Sequence, residues 1–150
     1  MSESSQLERF AVSATTESPT KTTVETRDFT FTVDEPQPLG GTDAAPNPVE
    51  YLLGAWAGCL NVVAHTVAAD HGIALEGVDI EIAGELDPRK FLGEAEDLRA
   101  GYQSVRAEIT AHTDADEAAL AAWAEAVEER CPVADNLAHP TPTDVTVKTA

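Results

Sequence analysis

Cysteine is scarce in this sequence, and no segment is typical of an exported protein. Only Cys59 and Cys131 carry thiols among 150 residues. Two cysteines exclude a disulfide-rich scaffold, and the opening residues MSESS have neither the basic nor the apolar region of a signal peptide. We therefore expect a cytoplasmic protein, where thiols stay reduced unless they are catalytic or redox-sensing.

Basic residues are also few. Nine Lys and Arg stand against 27 Asp and Glu, which gives a net charge of −18. This balance excludes the basic footprint of a nucleic-acid-binding protein and argues against docking on anionic lipid. The acids are spread along the chain, so we interpret them as a solvated, salt-adapted surface rather than as an acidic surface for a partner. We expect neither nucleic acid nor a membrane as a partner.

The motifs that hold metals or cofactors are missing as well. The four histidines have no metal-ligand spacing, and the sequence has no C-x-x-C pair, no phosphate-binding glycine loop and no G-x-S-x-G elbow. We therefore predict that the protein has no zinc site.

One uncharged run is long enough to suggest a membrane span. It covers residues 51–69, between Glu50 and Asp70, and has no Lys or Arg close to either end. The run is rich in Ala and Gly and includes polar residues, which favours the core helix of a soluble protein. Gly54 and Gly58 would permit close approach of another helix, within the core or across a dimer.

Local patterns predict an α+β fold with antiparallel sheets, a long cysteine-bearing helix and a second helix. The long helix is expected from Pro48 to about Asp70, with Asn47 as its N-cap and Gly72 as its stop. The second is expected over residues 115–130, capped by Asp114. Period-two alternation and turn residues predict strands in residues 7–16, 22–27, 29–33, 78–86, 105–111 and 143–147. We expect a single domain over residues 1–150, with residues 1–6 disordered.

The two cysteines differ in their sequence settings. Cys59 lies in the middle of an apolar helix, a position typical of a buried core cysteine. Cys131 precedes Pro132 at the start of a helical turn, where free N–H groups stabilise a thiolate. On position alone, a structural and a functional role remain equally open for Cys131. Glu50 and Cys59 are nine residues apart, about 180° around a helix, so they face opposite ways within one chain.

Two cysteine motifs in this order carry a resemblance to a known family. They are NPVEYLLGAWAGC at residues 47–59 and CPVADN at residues 131–136, supported by GELDPR at residues 84–89. Over residues 25–147 the chain resembles the OsmC/Ohr family of peroxide-detoxifying proteins. The resemblance implies an intertwined homodimer with the cysteine helices at its centre, and no metal or organic cofactor.

The resemblance also implies a thiol-dependent peroxidase. Cys59 would attack an organic hydroperoxide or hydrogen peroxide and become a sulfenic acid, and Cys131 would resolve it as a disulfide that an external dithiol reduces. Active relatives also use an Arg and a Glu. Arg27 is the best match for the Arg, whereas the usual Glu position holds Val49, with Glu50 adjacent.

The catalytic candidates are therefore Cys59, Cys131, Arg27 and Glu50. Because Val49 departs from the family pattern, a second hypothesis is a catalytically weak relative that binds a small hydrophobic ligand or a partner at the dimer groove. A third is a structural dimer with inert core cysteines.

Overall fold

The computed structural model describes residues 5–150. The disorder predicted for residues 1–6 falls mostly on residues 1–4, which lie outside the described residues. Contacts within the chain divide it into two units, Met1–Leu52 and Leu53–Ala150, which are described separately. The single domain expected from the sequence stays a prediction.

The first unit contains a three-stranded antiparallel sheet in the order β1-β2-β3. Its strands are β1 (Ser13–Thr16), β2 (Thr22–Thr26) and β3 (Phe29–Val33). The hairpin between β2 and β3 turns where the sequence predicted, and Val24 lies opposite Phe31 across it. The first strand begins later than expected, because residues 7–12 form no ladder and Phe10 is 92% exposed.

A buried carboxylate fixes the loop that follows β3. Asp34 is fully buried and accepts hydrogen bonds from Thr20, Glu35, Thr42 and Ala44. These donors, the Thr42 hydroxyl foremost, hold the pKa of Asp34 well below its usual range. Gly41 is required in the same loop, because a Cβ there would lie 1.8 Å from the carbonyl oxygen of Glu35. The loop predicted from its prolines and glycines is therefore firmly held, with one short 3₁₀ turn at Gln37–Leu39.

Helix α1 (Pro48–Asp70) has the predicted bounds. The Asn47 side chain accepts a hydrogen bond from the Glu50 N–H at 2.9 Å, and the chain leaves the helix at Gly72, where φ is 67°. By length and composition α1 is apolar enough to cross a membrane, a property that core helices of soluble proteins share.

Within the single chain, α1 buries one face and exposes the other. The buried face consists of Leu60, Val63, Ala64, Val67 and Ala68. On the exposed side, Val62 is 63% accessible and Leu52 is 41% accessible. The helix that the sequence predicted to lie in the core therefore still presents apolar surface to solvent within the single chain.

The second unit contains a long antiparallel hairpin, β4 (Gly77–Leu86) with β5 (Tyr102–His112). The alternating apolar residues of the two strands pair with each other, as Ile80 with Ile109 and Ile82 with Ala107 show. Their common face packs against the buried core. Residues 87–101 connect the strands through turns and bends.

Two helices complete the fold, α2 (Glu117–Arg130) and α3 (Pro132–Ala138). The predicted cap of α2 was wrong: Asp116, not Asp114, accepts the capping hydrogen bond, from the Ala119 N–H at 2.8 Å. Both acids are good caps, and only the path of the chain after β5 decides between them. The closing strand predicted at residues 143–147 was also wrong, because this segment pairs with no strand and Val145 is 85% exposed.

Candidate redox site

The fold brings the two cysteines together. Cys59 lies near the middle of α1 and is partly buried, whereas Cys131 lies between α2 and α3 and is only 1% exposed. Their Sγ atoms are 3.2 Å apart, and both thiols are free. A disulfide bond is about 2.05 Å long, so the sulfurs need to approach by about 1.2 Å to form one.

Two contacts hold α2, and with it Cys131 at its C-terminal end, against α1. The buried indole N–H of Trp123, on α2, donates a hydrogen bond to the Ala64 carbonyl at 2.9 Å. At the end of α2, the Arg130 guanidinium pairs with the Asp70 carboxylate at 2.6 Å. Because Arg130 directly precedes Cys131, these contacts fix where the Cys131 sulfur lies relative to α1.

The environment of Cys131 favours its protonated thiol. Burial raises the pKa of Cys131, and the neighbouring sulfur of Cys59 raises it further. The Ala134 N–H, 3.4 Å from the Cys131 sulfur, opposes this effect without reversing it. The thiolate-stabilising turn suggested by the sequence is therefore present, but burial outweighs it.

This arrangement distinguishes the two sulfurs. The Cys131 thiol donates a hydrogen bond to the Cys59 sulfur. Cys59 is the more exposed of the two and accepts that hydrogen bond. The pair thus combines a partly buried sulfur, on Cys59, with a fully buried one, on Cys131.

Arg27 and Glu50 belong to the first unit, and each has a local role there. Arg27 occupies the hairpin turn with φ at 51°, and its guanidinium lies 4.8 Å from the centre of the Phe29 ring. Glu50 is exposed in the first turn of α1, where an acid complements the helix dipole. Their catalytic roles stay predictions.

An apolar cleft of about 540 Å³ is lined by residues close in sequence to both cysteines, although neither cysteine lines it. Trp56 and Leu60 of α1 line it and stand three residues before and one residue after Cys59. Strand β5, α2 and α3 supply the other walls, among them Ala107, Trp123 and Leu137. We did not predict this cleft from the sequence, although the position of Trp56, one helical turn from Cys59, was a usable signal.

No cluster of three or more His, Cys, Asp or Glu side chains is placed to hold a metal ion in the part of the chain that the structure describes, residues 5–150.

The family model described as OsmC-like protein matches residues 41–146, which include both cysteines. The chain belongs to the OsmC-like family. Solved structures share its fold. An OsmC-like protein from Mycoplasma pneumoniae has a TM-score of 0.77 at 19% identity, with 89% of each chain covered.

Two further structures are described as organic hydroperoxide resistance proteins. The one from Legionella pneumophila has a TM-score of 0.64 at 22% identity, covering 89% of this chain and 91% of its own. The one from Elizabethkingia anophelis has a TM-score of 0.64 at 17% identity, covering 87% and 89%. Among curated proteins, none is similar enough to match. These likenesses confirm the α+β fold with antiparallel sheets.

Proposed function

We propose that this OsmC-like protein is a thiol-dependent peroxidase that acts on organic hydroperoxides or hydrogen peroxide. The observation that carries the proposal is the 3.2 Å separation of the Cys59 and Cys131 sulfurs. Membership of the family and the peroxide-resistance function ascribed to its structural neighbours support it.

The reaction proceeds in three balanced steps. The Cys59 thiolate attacks the peroxide O–O bond, becomes a sulfenic acid and releases an alcohol or water once the leaving oxygen takes a proton. The Cys131 sulfur then attacks the sulfenic sulfur, loses its proton and expels water, which leaves a Cys59–Cys131 disulfide. An external dithiol returns two electrons and two protons, restores both thiols and is itself oxidised to a disulfide.

The active form in this proposal is a cytoplasmic homodimer. The apolar surface that α1 leaves exposed, including Val62 at 63%, supports a second copy as its cover. Near Gly54 and Gly58 an added Cβ would meet nothing within 4 Å, so another helix has room to approach. We propose that Arg27 and Glu50 serve the Cys59 sulfur in this dimer, with Glu50 in place of the family Glu.

Peroxide consumption with dithiothreitol as the reductant tests the proposal. We expect Cys59→Ser to abolish turnover. Cys131→Ser is the matched variant: in the absence of any dithiol it should still consume one equivalent of peroxide and accumulate a Cys59 sulfenic acid that a dimedone probe labels. Turnover by Cys59→Ser at the parent rate would contradict the proposal. Arg27→Gln and Glu50→Gln should slow peroxide attack without slowing reduction of the disulfide.

The second candidate is a non-catalytic relative that binds a small hydrophobic ligand. The apolar cleft of about 540 Å³ favours it, since this volume lies in the range typical of ligand sites. Val49, at the usual Glu position, favours it too. A protein that consumes no peroxide, and whose thiols never join as a disulfide, would support this candidate over the peroxidase.

A further inference from the structure

The chain turns a corner at Cys131, between two helices. Helix α2 ends at Arg130 and α3 begins at Pro132, and the Cys131 backbone between them is extended, with φ at −83° and ψ at 111°. Residues at the ends of helices are the positions where two elements can change their relative angle. The position of the Cys131 sulfur, 3.2 Å from the Cys59 sulfur, therefore depends on contacts that anchor this corner to α1.

One ion pair anchors the corner from the residue next to Cys131. The Arg130 guanidinium lies 2.6 Å from the carboxylate of Asp70, the last residue of α1. Asp70 follows Cys59 by eleven residues, which is about three helical turns, so both lie on the same face of α1. The corner therefore meets this face at two points, about 16 Å apart along the helix axis. Two separated points fix the orientation of the corner, which a single point cannot do.

The positions of the two charges also connect the helix ends. Asp70 stands at the C-terminal end of α1, where the helix dipole disfavours an acid, and the last turn of α1 contains no base. Arg130 stands in the last turn of α2, where the dipole favours a base. The ion pair thus offsets the unfavourable position of Asp70. The hydrogen bond from Trp123 to α1 lies about two turns earlier in α2, so the ion pair is the nearer of the two contacts to Cys131.

We propose that the Arg130–Asp70 ion pair is a clamp that sets how readily Cys59 and Cys131 join as a disulfide. Both charged residues act through the position of Cys131, so they are positioning residues. The inference deepens the proposed function, and it rests on that function only where the disulfide forms during peroxide turnover. The two side chains are 46% and 56% exposed, so salt screens the clamp and disulfide formation becomes less favourable as ionic strength rises.

The thiol–disulfide equilibrium with dithiothreitol measures the clamp without any peroxide. Oxidised dithiothreitol takes two electrons and two protons from the thiols of Cys59 and Cys131, which become a disulfide while the reagent becomes a dithiol. Free thiols are trapped with a maleimide and counted by mass spectrometry. At about 0.1 M salt we expect Arg130→Gln and Asp70→Asn each to lower the equilibrium constant about threefold, the scale of one exposed ion pair. At about 1 M salt both differences from the parent should shrink.

A direct effect of the Arg130 charge on the Cys131 sulfur is the competing explanation. Removing a nearby positive charge destabilises the thiolate and so favours the disulfide. Under that explanation Arg130→Gln raises the equilibrium constant, whereas loss of the clamp lowers it. The double variant of Arg130→Gln with Asp70→Asn adds a second criterion, because a pair needs both partners: it should lose no more than either single variant.

Two further variants complete the set. Arg130→Lys keeps the positive charge and should retain part of the parent equilibrium constant. The matched control is Arg89→Gln, which breaks another exposed ion pair of 2.6 Å, between Arg89 and Asp87 in the connection after β4. It removes the same type of interaction away from α1 and α2, so it should leave the disulfide equilibrium unchanged.

Three results would overturn the inference: an equilibrium constant that Arg130→Gln leaves unchanged or raises, losses that add up in the double variant, or an equal loss in Arg89→Gln. Peroxide turnover of the parent protein is measured separately. A protein whose disulfide equilibrium follows the clamp but which consumes no peroxide contradicts the peroxidase alone. A protein that consumes peroxide but whose equilibrium ignores Arg130 and Asp70 contradicts the clamp alone.

Discussion

Replacing Trp123 by phenylalanine tests how the Cys131 segment is held against α1. Trp123 is 4% exposed, and its indole N–H donates to the Ala64 carbonyl at 2.9 Å. Loss of this buried hydrogen bond costs about 1 kcal/mol, and the smaller ring leaves a cavity that costs about 1 kcal/mol more. We therefore expect the free energy of unfolding to fall by about 2 kcal/mol, equivalent to a midpoint about 4 to 8 °C lower for a chain of this size.

Trp56→Phe is the matched control. The Trp56 indole nitrogen is buried without a hydrogen-bond partner within residues 5–150, so its replacement removes ring contacts but no hydrogen bond. We expect it to cost about 1 kcal/mol or less. Each variant keeps one tryptophan, so both can be followed by fluorescence during denaturation of the reduced protein. An equal or larger loss in Trp56→Phe would refute the assigned role of the Trp123 hydrogen bond.

Three further predictions concern titration and packing. Because the folded state raises the pKa of Cys131, it binds more protons than the unfolded state above pH 9.0, the ordinary value. The unfolding free energy of the reduced protein should therefore fall as pH rises through 9, and Cys131→Ser should flatten this part of a denaturation series. The pKa of Asp34 is lowered instead, so its stabilisation is complete above its ordinary 3.8 and is lost as pH falls below it. Asp34→Asn should destabilise the protein at pH 7 and remove part of the loss of stability that the parent shows in acid. If variant and parent lose the same unfolding free energy as the pH falls, the prediction is contradicted. Gly84→Ala would place a Cβ 2.7 Å from the Tyr102 ring, so it should cost about 1 to 3 kcal/mol in thermal denaturation, whereas Gly101→Ala, which meets nothing, should cost less.

Local patterns located most of the regular structure. The bounds of α1 were predictable because its cap, its proline and its terminal glycine act within one turn of the chain. The β4–β5 hairpin was predictable because apolar and polar residues alternate along both strands. The apolar residues of one strand pair with those of the other. The predictions failed where two local choices were equivalent, as for Asp114 and Asp116, or where a strand needed a distant partner, as in residues 143–147.

The sequence by itself determined the family, the α+β class and the identity of the two cysteines, because these follow from short motifs and from periodicity. Only the tertiary structure decided that the Cys59 and Cys131 sulfurs lie 3.2 Å apart and that burial raises the pKa of Cys131. It also formed the apolar cleft between α1, β5, α2 and α3. Distances, burial and cavities arise from residues far apart in the chain, and no local pattern records them.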